Sequence, residues 1–260
     1  MITRIAEAHA ILDEALAAER VRGSILLYSG GNDSTVLLTL LGSRCDWIGH
    51  CNTGTGIPET RQFLGERVQA LGLNGKLIEE FPINGVDDYE TMVLKVGFPG
   101  PAKHRLAYQR LKERSLRRMK KKVVKEPRKD RVVFVSGVRA AESKIRVGYK
   151  RTTKLQGNEV WVNPLYYWTD EDMDQYRTLQ SIPPNPVSEV LHISGECLCG
   201  AFAHPGEFEE IKFFFPEVAA RIAALEEKAR TQGIRACKWG VRPPGTKKSK
   251  PPGPLCAGCH

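Results

Sequence analysis

Between Ile2 and Leu16 the apolar residues Ile5, Ala8, Ile11, Leu12 and Leu16 recur on one helical face, which predicts an amphipathic helix. Ser24-Ile25-Leu26-Leu27-Tyr28 is a short apolar run that ends in glycines, the pattern of a buried strand. A helix is predicted from Ser34 to Leu41, with Ser34 near its start. Asp46-Trp47-Ile48-Gly49-His50 predicts a second strand, followed by the turn-rich Asn52-Thr53-Gly54-Thr55-Gly56. Pro58 to Leu71 has helical spacing, and a proline suits the first turn. Lys76 to Phe81 and Arg131 to Ser136 predict a third and a fourth strand. Strands alternating with helices predict an α/β fold with a doubly wound, mostly parallel sheet. No internal repeat is present.

Two segments break this rhythm. Lys103 to Arg131 carries fourteen Lys or Arg against three acids, Glu113, Glu126 and Asp130. Its centre, Tyr108 to Val124, has helical periodicity through Leu111, Leu116 and Met119. From Gly240 on, Pro243, Pro244, Pro251, Pro252 and Pro254 exclude regular structure, and the chain closes on Cys256-Ala257-Gly258-Cys259-His260. A shared metal would tie such a tail down. The expected organisation is a nucleotide-binding domain over residues 1–193 and a small cysteine-rich subdomain over 194–260.

Composition sharpens this picture. A chain of 260 residues accommodates one large α/β domain and a smaller appendage, and 41% hydrophobic content supports a buried core. The formal charge of +9 favours polyanionic partners, whether nucleotide or nucleic acid. No apolar run approaches the roughly 20 residues needed to cross a bilayer. The first residues, Met1 to Glu7, carry an acid and no apolar stretch of signal-peptide type, so a cytoplasmic location without a membrane partner is expected.

A strand, a glycine pair and a helix start together make an anion trap at Ser29-Gly30-Gly31-Asn32-Asp33-Ser34. Gly30 and Gly31 let the backbone turn tightly and direct N–H groups at one oxyanion, and the helix N-terminus adds partial positive charge. Ser29 and Ser34 can donate hydroxyls, while Asp33 can hydrogen-bond the loop or help place Mg²⁺. The chain has no Gly-Lys-Ser/Thr sequence here, so this is not a Walker-A loop. A lone Gly-Gly would be an ordinary turn.

The whole hexapeptide resembles the SGGxDS signature of the PP-loop ATP pyrophosphatases and the phosphoadenosine-phosphosulfate (PAPS) reductases. Three further segments resemble that family in order. Asn52-Thr53-Gly54 with Gly56-Ile57-Pro58-Glu59-Thr60 is similar to its (D/N)TG…PET segment. Gly137 to Arg146 is similar to its G-x-R-x-x-E-S-x-x-R element. Asn163 to Asp172 is similar to its NPL-x-x-W-T-x-x-D segment, and Ile182-Pro183-Pro184-Asn185-Pro186 to the usual sequel. The matches span Ser24 to Val187, about two-thirds of the chain. They imply an adenine nucleotide alpha-hydrolase-like, Rossmann-like fold.

The resemblance also implies roles. Asp33, Ser34 and Arg139 would be catalytic. The nucleotide, ATP or else PAPS or adenylylsulfate, would be held by Ser29 to Ser34, Thr53, Gly54, Gly137, Arg139, Glu142 and Arg146. Arg139 and Arg146 would neutralise phosphate or sulfate oxygens, with Glu142 orienting one of them. Surface pairing with carboxylates is the alternative for both arginines. Trp168 reads as core.

Cys197-x-Cys199, Cys237 and Cys256-x-x-Cys259 gather five of the seven cysteines late in the chain. Two close pairs brought together suit a four-ligand site, and the spacing fits Zn²⁺ or an iron–sulfur cluster. Gly195, Gly200 and Gly258 allow tight wrapping, and some members of the resembled family carry [4Fe–4S] clusters, which favours that cofactor. The expected ligands are Cys197, Cys199, Cys256 and Cys259, with Cys237 as substitute. Unliganded cysteines are the plain alternative, and Cys45 and Cys51 are expected to be buried small hydrophobes.

The chain departs from the reductases in two places. It lacks the Glu-Cys-Gly-Leu-His nucleophile motif of the thioredoxin-dependent enzymes. It has no cysteine between His104 and Lys112, where iron–sulfur adenylylsulfate reductases carry a Cys-Cys pair. The one-sided charge of Arg117, Arg118, Lys121 and Lys122 suits a phosphate backbone. The first expectation is therefore an ATP pyrophosphatase that adenylates an acceptor, nucleic acid being favoured, for sulfur transfer. DNA phosphorothioation proteins and tRNA thiolases are the family parallels, and a sulfur donor such as a cysteine desulfurase would be a partner. Reduction of a sulfonucleotide with release of sulfite, or a non-catalytic nucleotide- or metal-binding module, are the rival expectations.

Overall fold

The structure is a computed structural model that describes residues 1–126, 129–141 and 152–241. In chain order its elements are α1 (Ile2–Leu16), β1 (Val21–Leu27), α2 (Asn32–Leu41), β2 (Trp47–Cys51), α3 (Pro58–Ala70) and β3 (Leu77–Glu80). There follow α4 (Tyr89–Val96), α5 (His104–Tyr108), a π-helical turn (Gln109–Glu113), α6 (Arg114–Val123) and β4 (Arg131–Val135). The last are β5 (Thr153–Gln156), β6 (Glu159–Val162), α7 (Asp170–Leu179), α8 (Pro186–Leu191), α9 (Glu207–Phe214) and α10 (Pro216–Thr231).

The strands form one six-stranded sheet in the order β3-β2-β1-β4-β6-β5. β1 is parallel to both β2 and β4, and β4 is parallel to β6. β5 and β6 pair antiparallel. This is the expected α/β, doubly wound, mostly parallel sheet. Strands covered on both faces read as unbroken apolar runs, and Val132 to Val135 of β4 are all buried. The chain leaves β1 towards β2 and β3, then crosses to the other side of β1 at β4. The C-terminal ends of β1 and β4 therefore flank the switch point where such sheets take their ligands.

The chain forms two compact units, each assembled from several stretches. The first contains Met1–His50, Gln62–Glu80 and the described part of Leu116–Asn185. Its core packs Leu26, Tyr28, Val133, Val135, Val160 and Val162 of the strands and their ends against Leu12, Leu37, Leu41, Leu64 and Trp168. Trp168 is thus core, as its sequence context predicts. The second contains Cys51–Arg61, Phe81–Ser115 and the described residues from Pro186 onward. Ile57, Met92, Phe98, Leu111, Val187, Leu198, Ile211, Val218 and Trp239 make its core. The indole N–H of Trp239 donates to the Leu198 carbonyl at 2.8 Å.

Local chemistry sets several element ends. The Asp88 carboxylate accepts from the Thr91 N–H at 2.8 Å and starts α4. Thr169 and Asp172 exchange side-chain and backbone hydrogen bonds in a capping box that starts α7. The helix predicted from Tyr108 begins earlier, at His104, and widens by a π-helical turn at Gln109–Glu113. Leu111, Leu116 and Met119 are buried as their spacing requires.

Candidate functional site

In the first unit β1 ends at Leu27, and the chain turns through Ser29 to Gly31 into α2. Gly30 has φ of 76°, in the left-handed region that a side chain disfavours, and this is why glycine stands at the bend. Gly31 occupies the N-cap of α2 in extended conformation, and no side chain caps that helix end. The first-turn N–H groups are thereby left for another acceptor.

The hydroxyls of the loop converge. Ser29 Oγ and Ser34 Oγ lie 3.1 Å apart, and Gly31 N is 3.5 Å from Ser29 Oγ. Ser34 and Thr35 each donate a hydroxyl to the Gly31 carbonyl at 2.9 Å, which fixes the loop from inside the helix. Behind them the Tyr28 hydroxyl meets Thr35 Oγ1 at 3.2 Å. Burial pushes the Tyr28 phenol up to about 12, so it stays protonated.

The residues after β4 reach the same loop. A Cβ placed on Gly137 would stand 3.4 Å from the Asp33 carbonyl and the Ser34 nitrogen, so the two backbones run close together. Arg139 donates from Nε to Asp33 Oδ2 at 2.7 Å, and from Nη1 to Asp170 Oδ1 at 2.9 Å. Its side chain is buried, with 8% exposure against 22% for Asp33 and 83% for Asp170. Burial alone would lower its pKa. Asp33 and then Asp170 outweigh this and hold the guanidinium above its ordinary value.

Ser29 to Ser34, Gly137 and Arg139 are thus brought together in one unit. Asp33 is expected to serve the loop or Mg²⁺, and its partner here is Arg139. Two further residues of this region escape the sequence reading. Asp170 is the second carboxylate on Arg139, and Asn185 donates its side-chain amide to the Gly30 carbonyl at 2.9 Å. Both stand inside motifs noted in the sequence, but neither motif says what its residue touches. Glu142 and Arg146 lie outside the described residues.

Thr53 and Gly54 belong to the second unit, where they are held by the segment that carries Cys197 and Cys199. Thr53 donates its N–H to Glu196 Oε1 at 3.0 Å and its hydroxyl to the Glu196 carbonyl at 2.7 Å. The Leu198 N–H donates to Thr55 Oγ1 at 3.0 Å, and Ile57 N–H to the Gly195 carbonyl at 2.8 Å. Gly56 lies so near that a Cβ there would be 2.7 Å from the Glu196 carbonyl oxygen. Residues 53–57 and 195–198 therefore run as a zipped pair.

Cys199 is buried, while Cys197 and Cys237 are half-buried. The Tyr89 hydroxyl donates to the Cys199 carbonyl at 2.8 Å. Burial, and then the nearby Cys199 and Cys197 thiols, push the Tyr89 phenol well above its ordinary value. Among the described residues no group of three or more His, Cys, Asp or Glu could hold a metal. Cys197 and Cys199 lie in a loop that also holds Gly195 and Gly200, at φ of 71° and 74°. Cys256 and Cys259 lie outside the described residues. Cys45 is buried as expected, which pushes its thiol up to about 12. Cys51, expected to be buried too, is half-buried with its thiol towards the Lys112 carbonyl.

The basic segment is partly neutralised within the first unit. Glu80 accepts from Arg118 Nε at 3.0 Å and pairs with Lys122 Nζ at 2.6 Å. Lys120 pairs with Glu159 at 2.8 Å. Arg117 and Lys121 are exposed. No helix among the described residues is long and apolar enough to cross a membrane.

The phosphoadenosine phosphosulfate reductase domain family matches residues 23–190. The fold is similar to that of a phosphoadenylyl-sulfate (PAPS) reductase from Candida auris, solved as a phosphate complex. That likeness covers 70% of this chain and 83% of that one at 17% identity, with a TM-score of 0.51. Weaker similarity, with a TM-score of 0.49 and 12% identity, joins 94% of this chain to 97% of an NH3-dependent NAD synthetase from Campylobacter jejuni. The U34-tRNA thiolase NcsA from Methanococcus maripaludis, solved with its [4Fe-4S] cluster, is similar at 12% identity and a TM-score of 0.44. There 87% of this chain and 79% of that chain are covered. No curated protein sequence matches the chain. Because the family match covers well over half of its length, the chain belongs to the phosphoadenosine phosphosulfate reductase domain family.

Proposed function

We propose that this member of the PAPS reductase domain family binds ATP and Mg²⁺ and adenylates an acceptor oxygen, on nucleic acid, for sulfur transfer. The observation that carries the reading is the start of α2, which no side chain caps, with the Ser29 and Ser34 hydroxyls beside it and Arg139 at Asp33. Such a site positions phosphates and neutralises charge, which is most of what phosphoryl-type transfer asks of a protein.

In the proposed reaction the loop N–H groups and the two serine hydroxyls hold the phosphates, and Asp33 helps to place Mg²⁺. The acceptor oxygen attacks the α-phosphorus, the bond to the β-phosphate oxygen breaks, and pyrophosphate leaves. Arg139 offsets negative charge as it grows. A sulfur nucleophile from a donor protein then displaces AMP from the adenylated acceptor. The contacts at Thr53, Gly54, Glu142 and Arg146 rest on the motif resemblance alone. Arg117, Arg118, Lys121 and Lys122 would meet the nucleic acid.

Cys197, Cys199, Cys256 and Cys259, with Cys237 in reserve, would hold a [4Fe–4S] cluster or Zn²⁺. A cluster supplies a redox-active iron centre; zinc would serve as a structural tie. The family match and the Candida auris similarity favour a second reading. In it PAPS or adenylylsulfate occupies the loop, and the thiolate of Cys237 or Cys259 attacks the sulfur, so that the S–O bond to the phosphate breaks and the adenine nucleotide leaves. An external thiol then attacks the resulting S-sulfocysteine, forming a disulfide with the cysteine and releasing sulfite.

One panel separates these readings. Protein purified without oxygen is analysed for iron, sulfide and zinc, then incubated with ATP, PAPS or adenylylsulfate, with and without nucleic acid. Pyrophosphate from ATP that rises with nucleic acid supports the first reading. Sulfite from a sulfonucleotide replaces it with the second. Tight ATP binding with neither product reduces the chain to a nucleotide-binding module.

A further inference from the structure

Asn185 is fully buried, although it is polar and lies 155 residues from the phosphate loop it touches. Its side-chain nitrogen donates to the Gly30 carbonyl at 2.9 Å, and its backbone N–H donates to Asn32 Oδ1 at 3.3 Å. A carbonyl oxygen can only accept, so the amide nitrogen is the end that must face Gly30. Pro183 and Pro184 precede Asn185, and Pro186 follows it. Proline fixes its own φ and biases the residue before it to extended backbone, so little freedom remains at Asn185 to be lost.

The consequence follows from peptide planarity. The Gly30 carbonyl and the Gly31 N–H belong to one trans peptide unit and point in opposite directions. Pinning the carbonyl on Asn185 therefore aims the Gly31 N–H the other way. On that side stand Ser29 Oγ, 3.5 Å from Gly31 N, and Ser34 Oγ, 3.1 Å from Ser29 Oγ. Glycine on both sides of this peptide makes its reversal sterically easy. A flipped peptide would present a carbonyl oxygen to an incoming phosphate. The two glycines that allow the bend cannot themselves choose its polarity.

We infer that Asn185 is the positioning residue that selects the anion-receptive orientation of the Gly30–Gly31 peptide. It acts through the loop and touches no reacting atom. The inference rests on the nucleotide-binding reading above and adds to it the residue that sets the loop's donor pattern.

The test is calorimetry on the full chain with three probes: ATP, inorganic pyrophosphate and adenosine. Asn185→Leu keeps the approximate shape and removes the donor. It is expected to weaken ATP and pyrophosphate at least tenfold, roughly the worth of one hydrogen bond to a charged group. Adenosine affinity stays within about twofold, because a merely loosened fold would weaken all three probes alike. A thermal melt establishes that the variant is folded at the assay temperature. Should the leucine variant fail to fold, Asn185→Ala gives the same readout with a smaller expected loss of about threefold, since water can then reach the Gly30 carbonyl. Folded variants with ATP and pyrophosphate affinities within about twofold of the parent overturn the inference while leaving nucleotide binding intact. So does an equal loss for adenosine. A parent protein that binds neither ATP nor pyrophosphate defeats the nucleotide reading itself, and this inference with it.

Discussion

Arg139 donates from Nε to Asp33 Oδ2 at 2.7 Å, joining the residues that follow two neighbouring parallel strands. Asp33 lies in the first turn of α2, just after β1, and Arg139 follows β4. The pair spans the switch point of the sheet and ties the phosphate loop to its neighbour. A second carboxylate, Asp170, touches the same guanidinium from an exposed position.

These two carboxylates are expected to differ in worth. Asp33→Ala removes the less exposed of the two carboxylates on a buried guanidinium and should cost about 1.5–3 kcal/mol in chemical denaturation. Asp170 is 83% exposed, and Asp170→Ala should cost no more than about 0.5 kcal/mol, less in high salt. Equal costs would show that solvent reaches Arg139 as freely as it reaches Asp170.

Gly30→Ala is expected to destabilise by about 1–2 kcal/mol, because its φ of 76° brings an added Cβ against the backbone. Escape from that conformation also re-aims the loop amides, so ATP affinity should fall together with stability. Retained ATP affinity in a destabilised variant would separate the bend from phosphate binding.

The zipped pair in the second unit makes its own prediction. Thr53→Val keeps the shape but loses the hydroxyl that donates to the Glu196 carbonyl at 2.7 Å. Losing this buried hydrogen bond should cost about 0.5–1.5 kcal/mol. Hydrogen exchange should quicken at Thr55 and at Leu198, whose N–H donates to the Thr55 hydroxyl. Unchanged exchange there would mean that the segments are held by other interactions.

For the basic surface, reversing Arg117, Arg118, Lys121 and Lys122 together to Glu should abolish nucleic acid retention at moderate salt. The single changes should part company. Lys121→Glu alters an exposed charge and should lower the salt slope of binding by about 0.9 for each phosphate it no longer neutralises, at little cost in stability. Arg118→Glu sets a like charge against Glu80, which accepts from Arg118 at 3.0 Å, and should lower the melting temperature as well. Retention unaffected by the fourfold change would dismiss this surface as a nucleic acid interface.

Much of the first unit was legible in advance because its signals are local. The apolar runs ending at Tyr28 and beginning at Arg131 mark strands covered on both faces, and the glycines after Tyr28 mark the bend. The β5–β6 hairpin escaped notice because Thr153 to Gln156 is mostly polar, the composition of an exposed edge strand. The helix start predicted at Tyr108 was late because His104 is buried despite its polarity. Of the site, the loop was visible whole. Its supports, Asp170 and Asn185, were visible only as letters in a motif.

By itself the sequence determined the backbone chemistry: where the chain bends, which stretches bury both faces, and which residues carry hydroxyl, thiol or charge. Steric and hydrogen-bonding preferences act over a few residues, so a short window contains them. Only the tertiary structure decided that Arg139 meets Asp33 across 106 residues, that Asn185 meets Gly30 across 155, and that residues 53–57 lie along 195–198. Such meetings depend on strand order and on the closure of long loops, and no short window of sequence contains either.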